Sequence, residues 1–177
     1  VVVIGNERRE VAESAAQLDG VKEVVLANHK VYEDLLPESL VPLIAELAVD
    51  VSHIVAPATT FGKNLMPGVA ALLDVAQISD VIEIKASDIF VRPIYAGNAI
   101  ATVQSADQVK ILTVRTTAFA PSPAQESASI TECQVVKDQS KAHFVKEELS
   151  VSERPSLTAA SIIISGGRGM QNGENFV

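Results

Sequence analysis

The chain has 177 residues, a formal net charge of −8 and one cysteine, Cys133. Hydrophobic residues make up 47% but aromatics only 4%, so the core is aliphatic, the usual profile of a sheet covered by helices on both faces. The negative charge excludes a basic stripe of the kind that binds nucleic acid or an anionic membrane surface. One cysteine rules out an internal disulfide and fits a reducing compartment. No apolar run approaches the eighteen or so residues needed for a transmembrane helix.

In chain order, the first half alternates strand and helix. Residues 1–4, all Val and Ile, predict a strand ending at Gly5-Asn6, and 8–18 predict a helix with Val11, Ala15 and Leu18 on one face. A second strand spans 24–27 and ends at Asn28-His29. The helix predicted over 39–49 carries Leu40, Leu43, Ile44 and Leu47 as its buried stripe, with Pro42 placed in its first turn. A third strand, 53–56, runs through Pro57-Ala58-Thr59-Thr60 into a helix over 61–73, with Thr59 or Thr60 as its N-cap. Strands alternating with helices in this way predict a parallel sheet.

From Ile78 the pattern changes. Residues 78–84, 89–96, 100–103 and 109–114 are β-rich with short connections, and predict an antiparallel extension of the sheet. Residues 118–129, rich in Ala, Ser and Pro, read as a flexible surface loop. Strands are predicted at 130–136 and 143–151, and a polar hinge at 152–156 marks a domain boundary.

The final stretch, Ser165-Gly166-Gly167-Arg168-Gly169-Met170-Gln171-Asn172-Gly173-Glu174-Asn175-Phe176, follows the aliphatic run Ile162-Ile163-Ile164. A strand entering a Gly-rich turn before a helix presents backbone N–H groups to a phosphate. Gly166, Gly167 and Gly169 allow close approach, and Arg168 adds a planar cation suited to a diphosphate or a flavin edge. The spacing is neither that of a Walker loop nor Gly-x-Gly-x-x-Gly, so on its own the motif reads equally as an ordinary turn. Histidines 29, 53 and 143 are scattered without a carboxylate cluster, which gives no metal site. No nucleophile and base constellation is visible, so no catalytic residue is assigned. The strand ends at Gly5-Asn6, Asn28-His29 and Pro57 to Thr60, with Lys63 beside the last, form either an adenine-nucleotide crevice or an interface.

Phe61-Gly62-Lys63-Asn64-Leu65-Met66-Pro67, Ala76-Gln77-Ile78-Ser79-Asp80, Phe90-Val91-Arg92-Pro93-Ile94-Tyr95-Ala96-Gly97-Asn98-Ala99, Arg154-Pro155-Ser156-Leu157 and the glycine stretch occur together and in order. This set closely resembles the alpha subunits of electron-transfer flavoproteins over essentially the whole chain. The resemblance implies a three-layer Rossmann-like α/β domain over 1–151, with a mainly parallel sheet and an antiparallel β extension. Residues 152–177 would be the hinge, first strand and Gly-rich loop of a second, FAD-binding Rossmann-like domain. Relatives carry a further strand–helix unit ahead of Val1 and most of their FAD domain beyond Val177, and commonly a basic residue in place of Gly68. No initiator Met, signal or transit peptide is visible.

The resemblance further implies FAD contacts from Arg168 with Ser165, Gly166, Gly167 and Gly169 around it. It implies a heterodimer with a beta subunit that holds a structural AMP. Electrons would come from flavin dehydrogenases, such as acyl-CoA dehydrogenases of fatty acid β-oxidation, and leave to a membrane quinone oxidoreductase. The protein would be an electron carrier rather than an enzyme, in the bacterial cytoplasm or mitochondrial matrix. The alternative reading is a stand-alone adenine-nucleotide-binding module of the stress-protein type, built on the N-terminal strand ends.

Overall fold

The computed structural model describes residues 1–139, 141–148, 157, 160 and 162–175. They fall into two compact units, Val1–Phe144 and Val145–Val177.

In the first unit, β1 (Val2–Gly5) pairs in parallel with β2 (Glu23–Asn28), and β2 pairs in parallel with β9 (Ser129–Glu132). Helix α1 (Arg9–Ala16) joins β1 to β2 and covers one face. There Ala12 and Ala16 pack on Val3, Val24 and Leu26, small helix residues against branched strand residues. On the other face lie α2 (Pro37–Leu47) and α3 (Thr60–Leu73), with Leu40, Leu43, Leu65, Ala27 and Tyr32 in one buried cluster. Alternate residues of a strand face opposite sides, so Leu26 and Ala27 serve two different cores. That explains the unbroken aliphatic runs.

A second parallel sheet has β3 (His53–Pro57) and β4 (Gln77–Val81) on either side of β8 (Lys110–Val114). Ile111 packs under α3 with Met66, Val69 and Ala70. Leu112 faces the other way, onto Phe90 and Val81. Phe90 belongs to an antiparallel sheet of β5 (Glu83–Ala86), β6 (Ile89–Ile94) and β7 (Ala99–Gln104) that covers this face. Helices, mainly parallel sheets and an antiparallel layer together make the expected Rossmann-like α/β architecture.

Several local expectations are corrected. The single strand expected over 78–84 is two. Asp80 adopts φ 60 and shifts the β4 register, so β4 ends on β8 and the chain turns into β5. Residues 77–81 and 110–114 consequently join the parallel sheet rather than the antiparallel extension. Short connections limit what lies between strands but do not choose their partners. Helix α2 begins at Pro37, so Pro37 occupies the first turn and Pro42 lies in the helix interior. The strand expected over 130–136 is confined to Ser129–Glu132.

The segment expected to be a flexible loop is tied down along the end of α1. Asp19 N–H donates to Pro123 O at 2.9 Å and Gln125 N–H to Gln17 O at 2.7 Å. The Gln125 side chain donates to Val21 O at 2.7 Å, and Ser122 Oγ to Asp19 O at 2.9 Å. Of the strand expected at 143–151, residues 143–148 are irregular and 149–151 lie outside the described residues. The hinge at 152–156 also lies outside them. Residues 162–164 form no strand, and their side chains are exposed. A strand of three residues exists only through pairing, and no described residue pairs with it.

Candidate functional site

Two places gather the residues singled out in the sequence. The first is the glycine stretch of the second unit. Ser165 to Gly167 are irregular and exposed, Arg168–Met170 form one 3₁₀ turn, and Gly173–Asn175 form another. The stretch holds its own shape. Met170 N–H donates to Gly167 O at 3.0 Å, Gln171 N–H to Arg168 O at 3.1 Å, and the Asn175 amide to Met170 O at 2.6 Å. A Cβ built on Gly167 or Gly169 would meet nothing within 4 Å. Arg168 forms no ion pair with a described residue, so its guanidinium is free to engage an anion or an electron-rich ring edge. An uncommitted cation between two glycines open to approach suits an anionic or electron-rich ligand group.

The second place is the carboxyl end of the parallel strands. Gly5 and Asn28 lie side by side in the β1–β2 register, where Asn28 Oδ1 accepts from Arg8 N–H at 3.2 Å. His29 serves locally: its Nδ1 accepts from Val31 N–H at 3.2 Å and caps a 3₁₀ turn, Lys30–Tyr32. Near β3, Thr59 caps α3, its Oγ1 accepting from Gly62 N–H at 3.2 Å. Close by is a crevice of about 250 Å³ lined by Thr59, Lys63, Asp80, Arg115, Thr116 and Thr117. It lies below the roughly 300–1,000 Å³ usual for small-molecule sites.

Within that crevice Arg115 and Asp80 form a bidentate pair, Nε to Oδ1 at 3.2 Å and Nη2 to Oδ2. This hydrogen-bonded guanidinium holds the Asp80 carboxyl below the usual carboxylate range, against an opposing push from burial. The charges of Lys63 and Arg92 add to the same effect. Asp80 is itself positioned by its own N–H, which donates to buried Thr113 Oγ1 at 3.0 Å. Arg92 donates from Nη2 to Ser79 Oγ at 3.0 Å, and its buried Nε has no partner among the described residues. Of the charged residues that line the crevice, Arg115 and Asp80 pair with each other, and Lys63 forms no ion pair with a described residue.

Sequence reasoning singled out Lys63 but missed Asp80 and Arg115 as a pair, because they are 35 positions apart with no local motif. Gly68 faces α2: a Cβ there would come within 2.8 Å of Val41 Cγ2. Cys133 is a free thiol packed among apolar residues, its N–H donating to Leu26 O at 2.8 Å. Among the described residues no group of three or more His, Cys, Asp or Glu is arranged to hold a metal ion. No helix among them is long and apolar enough to cross a membrane.

These features define the class: a Rossmann-like α/β domain with an antiparallel layer, together with a glycine turn bearing an uncommitted arginine. A family model described as electron transfer flavoprotein domain matches residues 1–139, and the chain belongs to the electron transfer flavoprotein family. It is 55% identical over 177 residues to the electron transfer flavoprotein subunit alpha of Pseudomonas aeruginosa, covering 99% of this chain and 57% of that one. It is 45% identical over 176 residues to the subunit alpha of Paracoccus denitrificans, covering 99% and 57%. The mitochondrial subunit alpha of Dictyostelium discoideum is 42% identical over 192 residues, covering 99% and 54%. The chain thus spans a little over half the length of the curated relatives it matches.

Proposed function

We propose that this chain is part of the alpha subunit of a heterodimeric, FAD-containing electron carrier. The observation that carries the reading is 55% identity to an electron transfer flavoprotein alpha subunit along all but 1% of the chain, glycine stretch included. Bound FAD would supply the electron-accepting ring system. Arg168 would place a fixed positive charge against the cofactor, with Ser165 and Gly166 preceding it in the same turn, and the bare backbone at Gly167 and Gly169 would let the cofactor approach closely. Residues 152–177 would then open a FAD domain, and residues 1–151 would serve as a scaffold packing against a beta subunit that carries AMP.

On this reading the protein moves electrons between partners and turns over no substrate of its own. Flavin dehydrogenases, acyl-CoA dehydrogenases among them, would be the donors and a membrane quinone oxidoreductase the acceptor. The compartment would be the bacterial cytoplasm or the mitochondrial matrix.

The test is an FAD titration followed by visible absorbance, with the beta subunit present. It compares the 177-residue chain with one extended through its natural downstream residues. Stoichiometric flavin in the extended form, weakened about tenfold or more by Arg168→Ala, is the expected result. A colourless extended form would overturn the reading and direct attention to adenine nucleotides at the Lys63 crevice.

A further inference from the structure

Three parallel strands end side by side. Pro57 on β3 lies opposite Val114 on β8, and Val114 opposite Val81 on β4. Just past these ends Ala58 N–H donates to Val114 O at 2.7 Å and Arg115 N–H to Val81 O at 2.9 Å, so the chain is fixed where the strands stop. The crevice of about 250 Å³ lies here, at the carboxyl ends of the strands, where open α/β sheets take their ligands.

The chain as a whole has 22 acidic and 14 basic side chains, yet the crevice reverses that balance. Lys63, Arg92 and Arg115 all favour the ionised form of Asp80, three cations around one carboxylate. Asp80 is hydrogen-bonded by its side chain to only one of them, Arg115. Lys63 forms no ion pair with a described residue. Asp80 engages Nε and Nη2 of Arg115, which leaves both N–H groups of Nη1 to donate. The hydroxyls of Thr116 and Thr117 make no hydrogen bond with a described residue. Thr59 Oγ1 accepts from Gly62 N–H and still has its own proton to give.

Donors on two cations and three hydroxyls complement an acceptor-only anion with several oxygens. We propose that this crevice binds a phosphate-sized tetrahedral oxyanion, held by Lys63 Nζ, Arg115 Nη1 and the hydroxyls of Thr59, Thr116 and Thr117. A whole nucleotide fits poorly. The volume falls short of an ordinary small-molecule site, and no aromatic side chain lines the crevice to stack a base. A metal cation fits worse, since the one carboxylate is already taken by Arg115. The crevice shares no residue with the Arg168 turn, so phosphate binding stands or falls separately from flavin binding.

The experiment titrates inorganic phosphate at constant ionic strength into the natural full-length polypeptide and follows the backbone amide NMR shifts of Lys63, Thr116 and Thr117. Saturable shifts centred on these residues, with sulfate competing, are expected. Shifts that grow linearly without saturating overturn the proposal. Lys63→Gln removes an exposed charge and leaves the core alone. It is expected to weaken binding at least about tenfold, the value of one charge-assisted hydrogen bond. Asp80→Asn is expected to act the other way and tighten binding at least about threefold, because it removes the one repelling carboxylate and releases Arg115. Parent-like affinity in Lys63→Gln, or weaker binding in Asp80→Asn, counts against the site. AMP is the last arm. An affinity equal to that of phosphate supports the proposal, because only the phosphate group is then bound. Binding about tenfold tighter or more would make this a nucleotide site and overturn the small-anion reading.

Discussion

Gly62 lies so close to the end of β3 that a Cβ on it would meet Pro57 O at 2.0 Å. The obstacle is backbone, held in register by β8, and cannot swing aside as a side chain would. This contact sets the first turn of α3 against β3, and with it Thr59 and Lys63 at the crevice. Gly62→Ala gains about 1 kcal/mol in helix propensity but incurs an overpacking cost of roughly 3 kcal/mol. A net loss of about 2 kcal/mol in urea-unfolding stability is expected. A variant as stable as the parent would show that α3 can shift away from β3.

Asp80 and Arg115 provide a pH-dependent contribution. The folded-state pKa of Asp80 is lowered, chiefly by its hydrogen bonds to Arg115. A depressed carboxylate contributes stability that is fully present above the unfolded value, near 3.9, and is lost as pH falls through the lower folded value. Asp80→Asn should therefore be less stable than the parent at pH 7, with the difference closing under strong acid. Because the Arg115 side chain is about half exposed, at 47%, high salt should also narrow the difference. Urea midpoints of both proteins across pH 2–7 check this, and a difference independent of pH would mean the pair contributes through shape alone.

Tyr32 is buried, and its hydroxyl accepts from Lys137 N–H at 2.8 Å, across 105 residues of sequence. Burial pushes the hydroxyl pKa up, opposed by that hydrogen bond. Tyr32→Phe leaves the Lys137 N–H without its partner and should cost about 1–2 kcal/mol. Proteolytic nicking should rise after Lys137 in the variant, because this bond fastens the segment beyond β9 to the α2 side of the core. Unchanged stability and cleavage would show that water replaces the hydroxyl without loss.

Much of the first unit was legible in its residues. The aliphatic runs at β1, β2 and β3, the stripe along α2 and the Thr59 cap each arise from neighbours within a few positions. The irregular, exposed run at 162–164 was not legible, because β-branched aliphatic composition states a preference for strand and not a partner. Pro42 misled for a related reason: a proline marks a helix start only by default, and α2 tolerates one in its interior while Pro37 takes the first turn.

The sequence by itself determined the α/β class, the aliphatic core, the order of the early elements and the kinship carried by the quoted segments. All of these rest on local periodicity or on residue identity at short spacing. Tertiary structure alone decided that β8 enters between β3 and β4, that Asp80 meets Arg115, and that Lys63 and Arg115 line one crevice. Strand pairing and long-range ion pairs are chosen by which surfaces bury together. That choice depends on every element at once and leaves no mark in any short stretch of residues.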